Sequence, residues 1–223
     1  MQEKQVSALA ALDEPTRRRL YDHVVRRPEP VSRDDAATAL DIPRATAAFH
    51  LDRLHDEGLL DVVFERRSGR SGPGAGRPAK LYRRAEGEVA VSLPPRHYDL
   101  AGDLFAAALE DADRTGESPR AVLGRRAYEA GLRLAGTADS DGEARAAALG
   151  VLEAQGYEPR IEGGAVTLVN CPFHRLARDH TELVCGMNLR LVEGVLDGLG
   201  STGLTARLHP DPARCCVRLP LPA

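Results

Sequence analysis

Apolar residues recur at a helical spacing in the segment 44–57. Ala47, Leu51 and Leu54 fall at positions i, i+4 and i+7, so they line one side of a helix. Gly58 follows the last turn, where a glycine typically ends a helix. The pattern therefore predicts a helix over 44–57 with one buried side.

Two further helices are predicted ahead of this one. Pro15 suits the first position of a helix that runs to about Arg26. Ser32 begins the next helix, and Asp35 three residues later comes close to a capping box, in which each side chain binds the other residue's backbone N–H. A tight turn over 41–43 then leads into the amphipathic helix. The short helix, the turn and the amphipathic helix together form a helix-turn-helix.

A basic hairpin is predicted after the third helix. Segments 59–67 and 80–84 are predicted as the two strands of a wing, joined by a glycine-rich loop. From Arg66 to Arg84 there are seven Lys or Arg residues and no acidic residue, although the whole chain has a formal net charge of −3. A cationic hairpin beside a helix favours duplex DNA, because neutralising phosphates releases counterions. A solvated charged loop would explain the polarity, but it leaves the preceding helices unexplained.

A second face of the third helix is predicted to read DNA bases. Thr46, Phe49, His50 and Arg53 share this face, which would enter the major groove, where Arg binds guanine and apolar groups contact thymine methyls. Arg44, at the helix start, is placed for a base edge or a phosphate. For His50 alone, a polar surface position explains the pattern equally well. The predicted DNA contacts of the hairpin are Arg66, Arg67, Arg70, Arg77, Lys80 and Arg83.

Two more helical patterns occupy the middle of the chain, over 98–113 and 118–134. A helix that joins a winged domain to a second domain often pairs with its twin, because operators usually have two-fold symmetry. The region 97–135 is therefore predicted to link the domains and to form a homodimer on a two-fold symmetric operator. Alternatively, both helices simply cover the core of the C-terminal domain.

The last part of the chain predicts a small α+β domain over 143–223. The predicted fold class is therefore α+β, with a winged helix-turn-helix over 1–90 in front. The predicted elements are a helix over 144–154, a hairpin of 157–161 and 165–169, helices over 172–179 and 183–199, and a strand pair of 204–208 and 215–219. Helices packed on this antiparallel sheet would bury a core of their own.

Composition and charge narrow the function. The net charge is +2 over 1–96 and −5 over 97–223, so only the first part is expected to meet nucleic acid. No apolar run approaches the ~20 residues of a membrane span, and the N-terminus lacks the features of a signal peptide, so a cytoplasmic protein without membrane contact is expected. No phosphate-binding loop, dinucleotide fingerprint or HExxH motif is present, which disfavours an enzyme.

All four cysteines lie in the C-terminal domain. In a reducing compartment they are expected to be metal ligands, reactive thiols or core residues rather than disulfides. Alternation along the last strand predicts that Cys215 faces inward and Cys216 outward. One site would then combine Cys171, Cys185 and one of the final pair, preferably Cys215, with His174 as a candidate fourth ligand. Thiolates suit iron–sulfur clusters and zinc alike.

The N-terminal segments ALDEPTRRRLYDHV, ATAAFHLDRLHDEGLLD and GRPAKLYRR resemble the winged helix-turn-helix of ArsR-like bacterial transcription regulators. The resemblance covers about the first 90 residues and implies a DNA-binding regulator. Metal sensors of that family carry cysteines in or beside the reader helices, and this segment has none. Their metal site is therefore not carried over.

The segment NCPFHRLARDHTELVC, followed later by ARCC, resembles the cysteine-bearing C-terminal domain of SufR-type regulators. These are ArsR-like repressors that bind an iron–sulfur cluster and control its assembly genes. The resemblance implies that Cys171, Cys185 and Cys215 or Cys216 hold a cluster that sets the affinity for the operator. Zinc binding and a metal-free thiol or small-molecule sensor are the alternatives.

Overall fold

The chain divides into two compact units, Met1–Val91 and Ser92–Ala223. Each unit mixes helices with a small antiparallel sheet, and each has a hydrophobic core of its own. The computed structural model describes four stretches of the chain, namely residues 3–66, 78–138, 143–211 and 214–222.

The first unit is a winged helix-turn-helix. Its elements are α1 (Glu3–Ala11), α2 (Pro15–Val25), β1 (Val31–Ser32), α3 (Arg33–Leu40), α4 (Arg44–Asp56), β2 (Leu60–Glu65) and β3 (Ala79–Arg84). The three strands pair in the order β1-β3-β2, and both pairings are antiparallel. The three predicted helices and the two wing strands are confirmed, whereas α1 and β1 were not predicted.

Local signals in the sequence explain where the helices of this unit begin and end. The Ser32 hydroxyl accepts the backbone N–H of Asp35, and the Asp35 carboxylate accepts the backbone N–H of Ser32, so the capping box of α3 is confirmed. Asp41 ends α3 in the left-handed region, with φ 52°. Gly58 follows α4 with φ 74°, which a glycine adopts without steric cost. Asp41 thus begins the short turn between α3 and α4, and Gly58 begins the turn from α4 into β2.

The second unit is an α+β fold with a four-stranded antiparallel sheet. Its elements are α5 (Tyr98–Thr115), α6 (Pro119–Ala135), α7 (Ala144–Ala154), β4 (Pro159–Glu162), β5 (Ala165–Leu168), α8 (His174–Asp179), α9 (Thr181–Gly198), β6 (Arg207–Leu208) and β7 (Val217–Pro220). The strands pair in the order β4-β5-β7-β6. The predicted helices are confirmed, but both strands of the last pair are shorter than predicted.

Helices α6 and α9 approach each other closely because glycines lie at their contact. A Cβ atom on Gly131 of α6 would collide with the carbonyl oxygen of Leu191, and one on Gly194 of α9 would collide with the carbonyl oxygen of Tyr128. Residues of α5 and α6 also belong to the same core as α9 and the sheet. The two middle helices are therefore part of the second unit's core. Their predicted role in dimerisation stays a prediction.

Candidate nucleic-acid interface and cysteine cluster

Helix α4 has a buried side and an exposed side. Ala47, Leu51 and Leu54 are fully buried in the core of the first unit, which confirms the predicted stripe. On the exposed side, the Phe49 side chain is 66% accessible, and Arg53 is exposed as well. An exposed aromatic ring beside an arginine suits contacts with base edges in the major groove.

His50 points toward α2 and not into solvent. Its side chain is only 13% exposed, and its Nδ1 lies 3.5 Å from the Glu14 carboxylate. Burial alone would raise the pKa of Glu14, but the backbone N–H groups of Thr16 and Arg17 hold that pKa below its usual range. The predicted exposed position of His50 is therefore wrong, because the ionised cap of α2 lies beside it. Thr46 is also only half-exposed.

Four of the predicted DNA-binding cations already have a carboxylate partner within the first unit. The pairs are Arg44 with Asp34, Arg53 with Glu57 at 2.5 Å, Lys80 with Asp52, and Arg83 with Asp61 and Glu86, both at 3.8 Å. The Arg44–Asp34 pair is the most exposed, with both side chains more than 60% accessible, and exposed pairs contribute only about 0–1 kcal/mol. A DNA phosphate can therefore replace the carboxylate of Asp34 at little cost.

One of these carboxylates, on Asp52, joins the third helix to the wing. It accepts hydrogen bonds from the Lys80 ammonium and, at 2.6 Å, from the Tyr82 hydroxyl. Partial burial would raise the pKa of Asp52, but these two hydrogen bonds lower it overall. Burial, and then Asp52 itself, raises the pKa of Tyr82. Asp52 thus holds β3 against α4, and sequence reasoning missed it.

The outer part of the wing lies partly outside the described residues. Three of its predicted DNA contacts, Arg67, Arg70 and Arg77, fall there, whereas Arg66 is described and exposed. Sequence reasoning also missed Phe64 of β2, whose side chain is 64% accessible and whose strand partner is Lys80. Alternation along β2 was the signal that could have found Phe64.

The four cysteines are all buried in the core of the second unit. Cys185 of α9 and Cys216 form a disulfide, with their Cα atoms 6.2 Å apart. The prediction that Cys216 faces outward is therefore wrong. The prediction fails because β7 begins only at Val217. Cys216 lies before the strand, so the alternation of side chains along the strand does not determine which way it faces. The disulfide also contradicts the expectation that the cysteines are metal ligands, reactive thiols or core residues rather than disulfides.

The remaining two cysteines, Cys171 and Cys215, are free thiols. The Cys215 thiol lowers the pKa of Cys171, and Cys171 raises the pKa of Cys215. The Asn188 amide donates to the Cys215 sulfur, at 3.2 Å. The Tyr157 hydroxyl donates to the carbonyl oxygen of the same amide, which fixes which end of the amide faces the sulfur. Both Tyr157 and Asn188 are buried, so these groups form one buried polar chain.

The pairing of the sulfurs does not fit a metal site. Soft thiolates suit an iron–sulfur cluster or zinc, but the sulfur of Cys185 is bonded to Cys216. His174 is exposed at the start of α8, whereas the sulfurs are buried. Across the described ranges, no three His, Cys, Asp or Glu side chains form a group that could hold a metal ion. The predicted trio of Cys171, Cys185 and Cys215 is therefore not assembled in this structure.

Among the residues that the structure describes, no helix is both long and apolar enough to cross a membrane.

One comparison with known proteins bears on function. Residues 12–63 match the family model of a helix-turn-helix domain, which is about a quarter of the chain. The matched segment contains α2, α3, α4 and most of β2. No curated protein and no solved structure matches this chain. The first unit thus carries a helix-turn-helix domain, which is typical of DNA-binding transcription regulators.

Proposed function

We propose that the chain is a transcriptional repressor that binds a two-fold symmetric duplex operator as a homodimer. The observation that carries this proposal is the helix-turn-helix match over residues 12–63, whose third helix exposes Phe49 and Arg53. Asp52 supports it, because it holds the basic wing beside that helix. A helix and a wing held together can contact DNA at two adjacent places.

The experiment that tests DNA binding measures how affinity depends on salt. The wing cations Arg70, Arg77 and Lys80 are replaced by Gln, and binding to labelled duplex DNA is followed at several salt concentrations. Each lost phosphate contact lowers the slope of log affinity against log salt by about 0.9. We expect weaker binding to all sequences and a flatter slope. An unchanged slope would remove the wing from the mechanism.

Dimerisation through the middle helices is the second part of the proposal. Leu109 of α5 is 57% exposed, and Leu132 of α6 is also exposed, so both helices have apolar groups outside the core. Light scattering of the intact chain, with Leu109→Asp as the variant, tests this part. The wild type should have the mass of a dimer and the variant that of a monomer. A monomeric wild type would overturn it.

The third part of the proposal is that the C-terminal cysteines set operator affinity. An iron–sulfur cluster, or zinc, would be held by Cys171, Cys185 and Cys215 or Cys216 only after the Cys185–Cys216 disulfide is reduced. A bound cluster would supply a group that responds to oxygen and electrons. A metal-free thiol sensor is the rival, and the two free thiols of Cys171 and Cys215, each of which shifts the pKa of the other, favour it.

Purification without oxygen separates these versions of the sensor. A brown protein that loses its colour in Cys171→Ser and Cys185→Ser would support the cluster, whereas a colourless protein with stoichiometric zinc would support zinc. A colourless, metal-free protein whose DNA affinity changes with reductant would support the thiol sensor. If neither cysteine variant alters metal content or the response to reductant, the sensor proposal fails.

A further inference from the structure

Two of the chain's four phenylalanines are exposed in the first unit. Phe49 lies on α4, and Phe64 lies on β2, near the outer end of the wing. Single exposed apolar side chains are common on protein surfaces and need no explanation by themselves. The position of Phe64 relative to α4 is what makes it informative.

Phe64 lies on the face of the wing that is turned toward α4. In the antiparallel register it is opposite Lys80, and Val62 is opposite Tyr82. Opposite residues share a face, and so do residues two apart along a strand, so these four side chains lie on one face. The Lys80 and Tyr82 side chains both reach Asp52 of α4. Phe64 therefore follows them on the same face, farther out along the hairpin.

The exposed ring on the helix and the exposed ring on the wing flank one ion pair. Phe49 precedes Asp52 by three residues on α4, and Phe64 is the strand partner of Lys80, which binds Asp52. Both rings are about two-thirds accessible, at 66% and 64%. A ligand that contacts the exposed side of α4 and the wing together would therefore meet an aromatic ring on each.

The charge around Phe64 identifies the kind of ligand. Glu65, the next residue, pairs with Ala79 and so lies on the opposite face of the hairpin, and the sequence from Arg66 to Arg84 carries seven cations and no acid. A docking face for another protein would need a larger apolar patch with few charges at its centre. A single ring among cations instead suits duplex DNA, whose phosphates bind the cations while its bases and sugars offer apolar surface.

We propose that Phe64 inserts as an apolar wedge into the minor groove next to the major-groove segment that α4 reads. This proposal rests on the proposed DNA-binding function. Wedges of this kind partly unstack a base step, and pyrimidine–purine steps such as TA and CA unstack most easily. The chain should therefore prefer such a step at a fixed distance from the bases read by α4, without any hydrogen bond to that step.

Selection from a library of random DNA duplexes tests the proposal. The full-length wild type, Phe64→Ala and Phe64→Leu are each used to enrich binding sites, and affinities for the wild-type site are then measured. We expect the wild type to enrich a pyrimidine–purine step beside each half-site. Phe64→Ala should keep the central bases, lose the flanking preference, and bind the wild-type site on the order of tenfold more weakly. Phe64→Leu should lie between the two.

Ile161→Ala is the matched control, because Ile161 is an equally exposed strand residue, at 67%, in the second unit. It should change neither the selected site nor the affinity. Phe64 is exposed, so thermal unfolding should be the same in all variants, and Phe64→Leu keeps the test valid if Phe64→Ala unfolds.

The remaining outcomes separate this inference from the proposed function. A wild type that enriches no sequence and binds no duplex would overturn DNA binding itself. A wild type that binds DNA, with Phe64→Ala selecting the same flanks at the same affinity, would overturn only the wedge. A loss in Phe64→Ala that is equal on all duplexes, or that accompanies a change in oligomeric mass, would assign Phe64 to the phosphate backbone or to a protein contact and overturn the wedge.

Discussion

The two units place their candidate functional groups in opposite environments. In the first unit, Phe49, Phe64 and the ion-paired Arg44 and Arg53 are exposed. In the second unit, the cysteines and the Asn188 amide are buried in the core. Exposed groups can exchange partners without disturbing packing, whereas close-packed interiors respond to any change in shape or polarity. Substitutions at the exposed residues of the first unit should therefore change DNA affinity without loss of stability. A substitution at a cysteine should also change the stability of the second unit.

The largest effect should come from the contact between α6 and α9. Gly194→Val places side-chain atoms against the backbone carbonyl of Tyr128, where no flexible side chain can move aside. Overpacking of this kind costs about 1–3 kcal/mol and sometimes more. Thermal unfolding followed by circular dichroism should show the second unit destabilised by about 3 kcal/mol or more.

Gly186→Ala on the same helix is the control, because a Cβ atom there meets nothing within 4 Å. Alanine stabilises a helix interior by about 0.5–1 kcal/mol relative to glycine. Equal effects of the two substitutions would show that close approach of the helices is not what limits position 194. The contact between α6 and α9 would then tolerate substitution as readily as the exposed positions of the first unit.

The next effect should come from the buried polar chain at the cysteines. Asn188→Ala leaves the Tyr157 hydroxyl without its acceptor and the Cys215 sulfur without its donor. An unsatisfied buried polar group costs about 1–3 kcal/mol, so urea unfolding should show a loss in this range. Tyr157→Phe in the Asn188→Ala background should recover part of it. An Asn188→Ala protein as stable as the wild type would show that the hydrogen bonds of Asn188 with Tyr157 and Cys215 do not stabilise the core.

A smaller effect, confined to the first unit, is expected at Asp52. Asp52→Asn keeps the shape but removes the charge that binds Lys80, so the wing should hold less firmly to α4 and DNA affinity should fall a few-fold. Asp61→Asn, on the looser 3.8 Å pair with Arg83, is the control and should have little effect. Comparable losses of DNA affinity in both variants would mean that the wing needs nearby negative charge but not the specific contact between Asp52 and Lys80.

Asp52 also predicts a dependence of stability on pH. Its pKa is lowered in the folded chain, so its contribution is present above the unfolded value of about 3.9 and is lost as the pH falls through the folded pKa. Unfolding of the first unit, measured between neutral pH and about pH 3, should therefore show a steeper loss in the wild type than in Asp52→Asn. Parallel curves would rule out this contribution.

Local signals in the sequence predicted three of the four helices that the structure describes in the first unit, and both wing strands. The stripe of Ala47, Leu51 and Leu54, and the capping box of Ser32 and Asp35, depend only on residues within one helix and its cap. Short-range spacing fixes such features because the helix itself brings the residues together. The side of α4 that is predicted to contact DNA bases could therefore be identified without knowledge of any tertiary contact.

Contacts between distant segments could not be predicted in this way. Asp52 binds residues 28 and 30 positions away, and His50 is covered by a cap that belongs to another helix. The predicted orientation of Cys216 depended on where β7 begins. If a strand begins one or two residues later than predicted, the residues before it no longer follow the alternation of side chains between its two faces. The cysteine pairing follows from the packing of α9 on the sheet, and no local pattern encodes it.

The smallest effect should be a gain of DNA affinity at the ion pair between Arg53 and Glu57. Glu57→Gln removes the carboxylate that holds Arg53, so the guanidinium can bind DNA without first losing a partner. Arg53 is half exposed and solvent screens its charge, so DNA affinity should rise only about threefold at low salt and less at high salt. Fluorescence anisotropy with a labelled duplex measures this change. Glu193→Gln, which breaks a similar pair with Arg190 in the second unit, should leave affinity unchanged. If Glu57→Gln weakens binding instead, the carboxylate positions Arg53 for DNA and does not compete with it, and the ion pairs of the first unit are part of the interface.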